Sequence, residues 1–522
     1  MKTTSKSFDS GPRRVVGFND RRVTIENMSQ NKWFRRTALT AFACASVVLI
    51  APLSGPAAPV VSAVSADPGG EFHALTPTRI LDTRPESSIN DVQPLGAKPQ
   101  SDNAVSTSAG EFNFNPLGKA GLPTDPDAVL AIVANFTVTQ PGSAGWVAVY
   151  PKGFEFGGAD GGGAISSLVN FTAGQSVPNL GIVGLDSNGD LTINGSGSNT
   201  TYHLIIDVVG FISTSQYVGE STGARLEMTN PGRILDTRLA NEPIGSGQTR
   251  ALQIRGVDTI DDGSDAPLRT DIVPDRATVT AALVNLTLVN TYPASQSTYV
   301  TATPDQIALG ALNPSSSNVA VGRIKANMAV VPVGEDGKIQ LFNHAGDLHL
   351  VVDVLGYFEQ GIHTDTNRGR VVPLDAPFRA FDTRETDFGD APLQHGSEEE
   401  WSFKAFVNSV VLNPDCVKET DEPCSVTGPP QQGLIGSLVA INLQPLYPSH
   451  TGGNYASYLS VEPVDTDEGE SSNVNFFLGD VVANMSLIKY GIKGDDDHVV
   501  KAYNSYGSVD YLLDVYVIVL DA

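Results

Sequence analysis

One phrase occurs three times in this chain: PTRILDTR from Pro77, PGRILDTR from Pro231 and PFRAFDTR from Pro377. The copies start roughly 150 residues apart, far beyond any helical or solenoid period and close to the length of one ordinary domain. A second phrase closes each stretch: LIIDVVGF from Leu204, LVVDVLGY from Leu350 and LLDVYVIV from Leu512, which puts Asp207, Asp353 and Asp514 at matching places. A chain marked in this way folds as three related units, and 522 residues leave room for three cores of ordinary size.

The landmarks between the phrases read as strands. VLAIVANFTVT ends at Thr139, VTAALVNLTLV at Val289 and LIGSLVAINLQ at Gln444, with Asn135, Asn285 and Asn442 taken as equivalents. Ser-Asn clusters follow at Ser166, Ser315 and Ser471, then PNLGIVGL, ANMAVVPV and ANMSLIKY. Acidic glycine turns from Asp186, Gly334 and Lys493 read as hairpin connections. Charged residues are 17% of the chain against 51 Gly and 33 Pro, a mixture that favours short strands and turns over helices. The expected fold is all-β: three tandem antiparallel β-sandwich or barrel domains, jelly-roll-like, of roughly eight to ten strands each. They span 67–213, 225–360 and 370–522, with short linkers, one of which ends at Ala224.

Residues 1–66 read as a leader and signal peptide. Arg35 and Arg36 supply the charged start, Ala38 to Leu53 the apolar stretch, and Val64-Ser65-Ala66 a small-residue cleavage site before Asp67. Met28 is an alternative start, and Arg35-Arg36 leaves the twin-arginine route open. The expectation is a secreted or cell-surface protein with no membrane span after cleavage. The net charge is -25 although the leader is basic, so the remainder is more acidic still; such a surface repels phosphate backbones, and nucleic acid is not an expected partner. In an exported chain, Cys416 and Cys424 are expected to close one short disulfide loop, with metal binding as the competing reading.

An ionised Asp in a run as apolar as LIIDVVGF needs a cationic partner. The only basic positions common to the copies are Arg79 and Arg84, Arg233 and Arg238, and Arg379 and Arg384. One Arg of each pair is expected to fork onto the closing Asp207, Asp353 or Asp514. The other pairs within its own Asp-Thr-Arg step, with Asp82, Asp236 or Asp382. The rival reading makes these residues a ligand site for sugar hydroxyls.

No nucleophile elbow, zinc-protease, phosphate-loop or dinucleotide motif occurs, and His203 and His349 read as exposed strand residues. Carboxylates at Glu398 to Glu400 and Asp495 to Asp497 leave glycosidase chemistry open, and the turn from Asp186 leaves calcium open. No catalytic, metal or cofactor-binding residue is assigned.

The two phrases together resemble those of a family of secreted actinobacterial repeat domains, whose units open with P-x-R-(I/L/V)-(L/F/Y)-D-T-R and close with V-V-D-V-x-G-Y-F. The first two units fit closely; the third lacks the closing Gly and aromatic. The resemblance implies an exported, noncatalytic surface or matrix protein and supplies no ligand. The expected function is therefore structural or adhesive, with a cell-wall or extracellular glycan or another surface protein as partner. The alternatives are a carbohydrate-binding module array and an uncharacterised hydrolase.

Overall fold

The computed structural model describes residues 69–84, 111–153, 166–197, 201–261, 268–291, 296–306, 314–364, 366–385, 391–411, 429–445, 456–466 and 471–522, with the pairs 23–24, 61–62 and 105–106. The signal-peptide reading and the Cys416/Cys424 loop lie outside these residues.

Each unit contributes eight principal strands in the same order. Unit 1 has β1 (Phe72–Asp82), β2 (Phe112–Phe114), β3 (Val129–Thr139), β4 (Gly145–Pro151), β5 (Val169–Phe171), β6 (Val177–Gly184), β7 (Leu191–Gly197) and β8 (Thr201–Ser213). Unit 2 has β9 (Ala224–Asp236), β10 (Thr249–Gln253), β11 (Val279–Asn290), β12 (Thr298–Thr303), β13 (Ser317–Val319), β14 (Arg323–Pro332), β15 (Lys338–Asn343) and β16 (His349–Gln360). Unit 3 has β17 (Val371–Asp382), β18 (Ser397–Ser402), β19 (Gln431–Gln444), β20 (Ala456–Pro463), β21 (Val474–Phe477), β22 (Val481–Lys489), β23 (Asp496–Asn504) and β24 (Ser508–Leu520). Ala224, read from sequence as the last linker residue, already belongs to β9.

In unit 1 the two sheets run β1-β8-β3-β6 and β2-β7-β4-β5, and the other units repeat this order strand for strand. All these pairings are antiparallel, and the interleaved order is that of an eight-stranded jelly roll. The strands β6 and β7 lie in different sheets, as do β14 and β15, so the turns from Asp186 and Gly334 are arches between sheets and not hairpins. Only the turn from Lys493 closes a hairpin, where Lys493 pairs with Asp496.

The opening and closing strands pair with each other in every unit: Arg79 sits opposite Asp207, Arg233 opposite Asp353 and Arg379 opposite Asp514. Both partner strands carry bulges here. The closing glycine has a packing reason, since a Cβ on Gly210 would lie 2.6 Å from the His73 carbonyl oxygen.

The clasp-bearing sheets are buried on both faces, which is why VLAIVANFTVT is apolar but for Asn135, Thr137 and Thr139 and lies wholly buried as β3. One face packs on the unit's own second sheet. The other turns inward, where the core of unit 1 runs continuously into Leu283, Met328, Val330 and Phe358 of unit 2 and Ile435, Met485, Leu487 and Val517 of unit 3. At one end the starts of β1, β9 and β17 meet: Ala224 pairs with Phe72, Gly70 with Val371, and the Leu226 N–H donates to the Gly369 carbonyl at 2.9 Å. The three jelly rolls thus surround a pseudo-threefold axis on which their apolar faces pack together, while units 2 and 3 also keep sandwich cores of their own. Among the described residues no helix is long and apolar enough to cross a membrane.

Candidate functional site

The repeated phrases meet at the same spot in each unit. Arg79 Nε donates to Asp207 Oδ1 at 2.8 Å and Nη2 to Oδ2 at 3.2 Å; Arg379 holds Asp514 in the same two-pronged way at 2.8 and 3.1 Å. In unit 2 Arg233 Nε donates to Asp353 Oδ1 at 2.9 Å. The second arginine stays within the Asp-Thr-Arg step: Arg84 holds Asp82 at 2.9 and 2.6 Å, Arg238 holds Asp236 at 2.8 and 2.5 Å, and Arg384 holds Asp382 at 2.8 and 2.6 Å. Arg79 and Arg379 also reach Asp82 and Asp382 at 3.1 Å, so each of these two clasps joins two guanidinium groups and two carboxylates.

The middle threonine is used as fully. Thr83, Thr237 and Thr383 accept the N–H groups of Leu204, Leu350 and Tyr511 at 2.9, 2.9 and 3.0 Å. Their hydroxyls also meet His203 Nδ1, His349 Nδ1 and Asp510 Oδ1. The two histidines, read from sequence as exposed, are half-buried partners of the motif, and Asp510 fills that role in unit 3.

Each clasp is also a seam between units. Beside Asp207 on the neighbouring strand stands Asn135, which donates to the Ser315 carbonyl of unit 2; Asn285, beside Asp353, donates to the Ser472 carbonyl of unit 3 at 2.6 Å. In unit 3 the residue beside Asp514 is Ser437, which donates to the Ser167 carbonyl of unit 1 at 2.7 Å and closes the ring. Register therefore makes Ser437, and not Asn442, the counterpart of Asn135. The Ser315 N–H in turn donates to Asp207.

A second ring lies deeper. Asn179, Asn327 and Asn484 each donate 2.6 Å hydrogen bonds to their own unit, at Leu168, Ser316 and Asn473. Asn179 and Asn484 also accept from the next unit, taking the Met485 N–H at 2.8 Å and the Met328 N–H at 3.1 Å. Sequence landmarks aligned these asparagines but gave no sign that they bridge units.

The carboxylates in each of units 1 and 3 respond oppositely to their surroundings. Burial pushes Asp82 up, but the Arg84 side chain and N–H outweigh it and hold the carboxyl below its ordinary value, as happens at Asp236 and Asp382. At Asp207 and Asp514 burial outweighs the arginine and raises the carboxyl. A lowered carboxyl stabilises the fold above its unfolded value and loses that effect as pH falls through the folded one; a raised carboxyl favours folding at low pH and ceases to as pH rises through its folded value. Asp82→Asn is thus expected to cost about 1.5–3 kcal/mol near neutrality, the weight of hydrogen bonds to a charged group. The gap between variant and wild type should close as pH falls below about 3.9, the ordinary aspartate value. Thermal unfolding of both proteins from acid to neutral pH measures it; a gap independent of pH would contradict the assignment.

Other residues weighed from sequence are placed as follows. Glu400 is paired with Lys493, Glu399 accepts from the Tyr511 hydroxyl at 2.9 Å, and Glu398 lies 3.7 Å from Lys501, so this carboxylate run is spent on cross-strand contacts. Asp186 accepts the N–H groups of Asn188 and Asp190 within its own turn. Trp146, Tyr299 and Tyr458 stand at one equivalent position, opposite Asn170, Asn318 and Asn475. Two of these aromatics feel a neighbouring unit's clasp, Tyr299 that of Arg79 and Tyr458 that of Arg233.

No family model matches the chain. No curated protein matches it either. Among solved structures, the X-ray structure of the entire lipid-containing bacteriophage PM2 includes a chain 12% identical to this one, covering 79% of this chain and 86% of that chain with a TM-score of 0.08; a score that low carries no argument about fold or function.

Proposed function

We propose that this is an exported, noncatalytic protein of the cell surface or extracellular matrix, a rigid three-unit body with a structural or adhesive role. The observation that carries the reading is the use made of the repeated residues. Arginine is bonded to aspartate and threonine to a backbone N–H inside the units, and asparagine reaches the next unit's backbone across a seam, so what the copies share builds the scaffold. Fractionation of the producing cells tests it: the protein should sit in the medium or on the envelope with Asp67 as its first residue. Unprocessed chain confined to the cytoplasm would overturn the reading.

A second reading, carbohydrate binding by repeated sites, is favoured by the half-buried aromatics Trp146, Tyr299 and Tyr458 at one register. Weak sites repeated three times gain avidity. A glycan array with the mature chain and with the triple alanine variant of these residues tests it: the wild type should retain a glycan that the variant releases.

A further inference from the structure

Beside the Ser-Asn clusters, the three units line an open cavity of about 380 Å³, within the range of about 300–1,000 Å³ common for small-ligand sites. Asn170, Asn318 and Asn475, one from each unit, line it at equivalent positions. The three strands β6, β14 and β22 present Val177, Lys325 and Val482 to it, each two residues before its asparagine of the second ring. Two siblings fill this ring with valine, so architecture does not call for the Lys325 ammonium.

Lys325 Nζ donates to the Ala483 carbonyl of unit 3 at 3.3 Å, and among the described residues no carboxylate lies within ion-pair distance of it. The nearby Asp480 is engaged by Arg323, which also lies over the Phe477 ring. Burial lowers the Lys325 amine to about 8, with Asp480 raising it and Arg323 lowering it further. Tyr299 and His344, stacked on each other at 4.4 Å, form the wall on the unit 2 side.

The amides leave specific vacancies in hydrogen bonding. Asn170 Oδ1 and Asn475 Oδ1 accept from Ser167 and Ser472, and their NH2 groups have no acceptor among the described residues. Asn318 Oδ1 is buried without a partner among the described residues and is closed off from the cavity. A ligand that satisfies these groups carries an anion for Lys325 and several oxygen acceptors, carboxylate or hydroxyl, for the amides of Asn170 and Asn475.

We propose that the axial cavity binds one sugar acid per chain, a polyhydroxylated ring bearing a carboxylate. This goes beyond the scaffold reading and does not rest on it, since export and axial binding are measured separately. Its stoichiometry of one differs from the three of the repeated aromatic sites, although Tyr299 belongs to both.

Calorimetric titration of the mature chain with D-glucuronate, D-glucose, acetate and inorganic phosphate tests the proposal. Glucuronate should bind with a stoichiometry of one, at least tenfold tighter than any of the other three. Affinity should fall as pH rises past about 8, where the Lys325 amine loses its proton; the other titratable groups facing it are Asp480, Arg323, Tyr299 and His344. Lys325→Val, which copies Val177 and Val482, should fold with a Tm no lower than wild type and lose at least tenfold in glucuronate affinity. A uronate polymer as a further probe separates the sources: binding of polymer and monomer points to a wall glycan, and binding of the monomer alone to a free sugar acid. The proposal is overturned by phosphate or acetate binding as tightly as glucuronate, by unchanged affinity in Lys325→Val, by a stoichiometry of three, or by no binding of any probe.

Discussion

Replacing Arg79 by Met is expected to cost ~3–5 kcal/mol, the range for breaking a buried ion pair by removing one partner. The cost arises at Asp207, whose carboxylate is wholly enclosed and would keep only the Ser315 N–H among the donors described here. Burial already outweighs the arginine at this carboxyl, so the intact pair is not itself a large source of stability; it is an expensive arrangement that one missing partner makes worse. The double variant Arg79→Met/Asp207→Leu should recover much of the loss, because an apolar pair of similar volume is often close to neutral. A deficit of about 1–3 kcal/mol should remain, from the Ser315 N–H left unsatisfied at the seam. A double-mutant cycle should therefore place strong coupling between Arg79 and Asp207 and only a few tenths of a kcal/mol between Arg84 and Asp207. Chemical denaturation of the four proteins in each cycle measures this, and coupling of the opposite ranking would refute the assignment of the two arginines.

The second large effect is expected at Asn484, which lies between units 2 and 3. Its amide takes the Met328 N–H and donates to the Asn473 carbonyl, and both groups are enclosed. Asn484→Ala strands the two backbone groups at about 1–3 kcal/mol each, a total on the order of 2–6 kcal/mol. It also opens a cavity against Met328 and Met485, which are fully buried on the axis. Because the loss falls on a seam, the variant should show unit-by-unit unfolding where the wild type unfolds as a whole. Hydrogen exchange at β14 and β22 would report it: protection there should fall well below that of the β18-β23-β20-β21 sheet.

Much of this was legible in the sequence. The literal repeat of the two phrases gave the three units, and the need of a buried aspartate for a cation named the arginines that the structure brings to it. The all-β sandwich followed from short apolar runs split by turn residues. What escaped was the arrangement around the axis. A strand buried on both faces reads as a continuous apolar run, and that run is silent about whether its second face meets another unit.

Residue identity also misled where register decides. Asn442 looked like the match to Asn135 because both are asparagines, yet the seventh residue of β19, like that of β3 and β11, is the one beside the closing aspartate, and it is Ser437, whose hydroxyl makes the same kind of bond. His203, His349 and Asp510 hold the same place before the closing aspartate, and each meets the Thr hydroxyl of its own unit, a role that reading the histidines as exposed strand residues missed. Lys325 gave no signal at all, since its siblings are valines.

The three jelly rolls are one body, held by apolar packing on the axis and a ring of seams. Differential scanning calorimetry of the mature chain tests this most directly. A single transition whose calorimetric and van't Hoff enthalpies agree is the predicted result; two or three resolved transitions, each with the enthalpy of one unit, would contradict it.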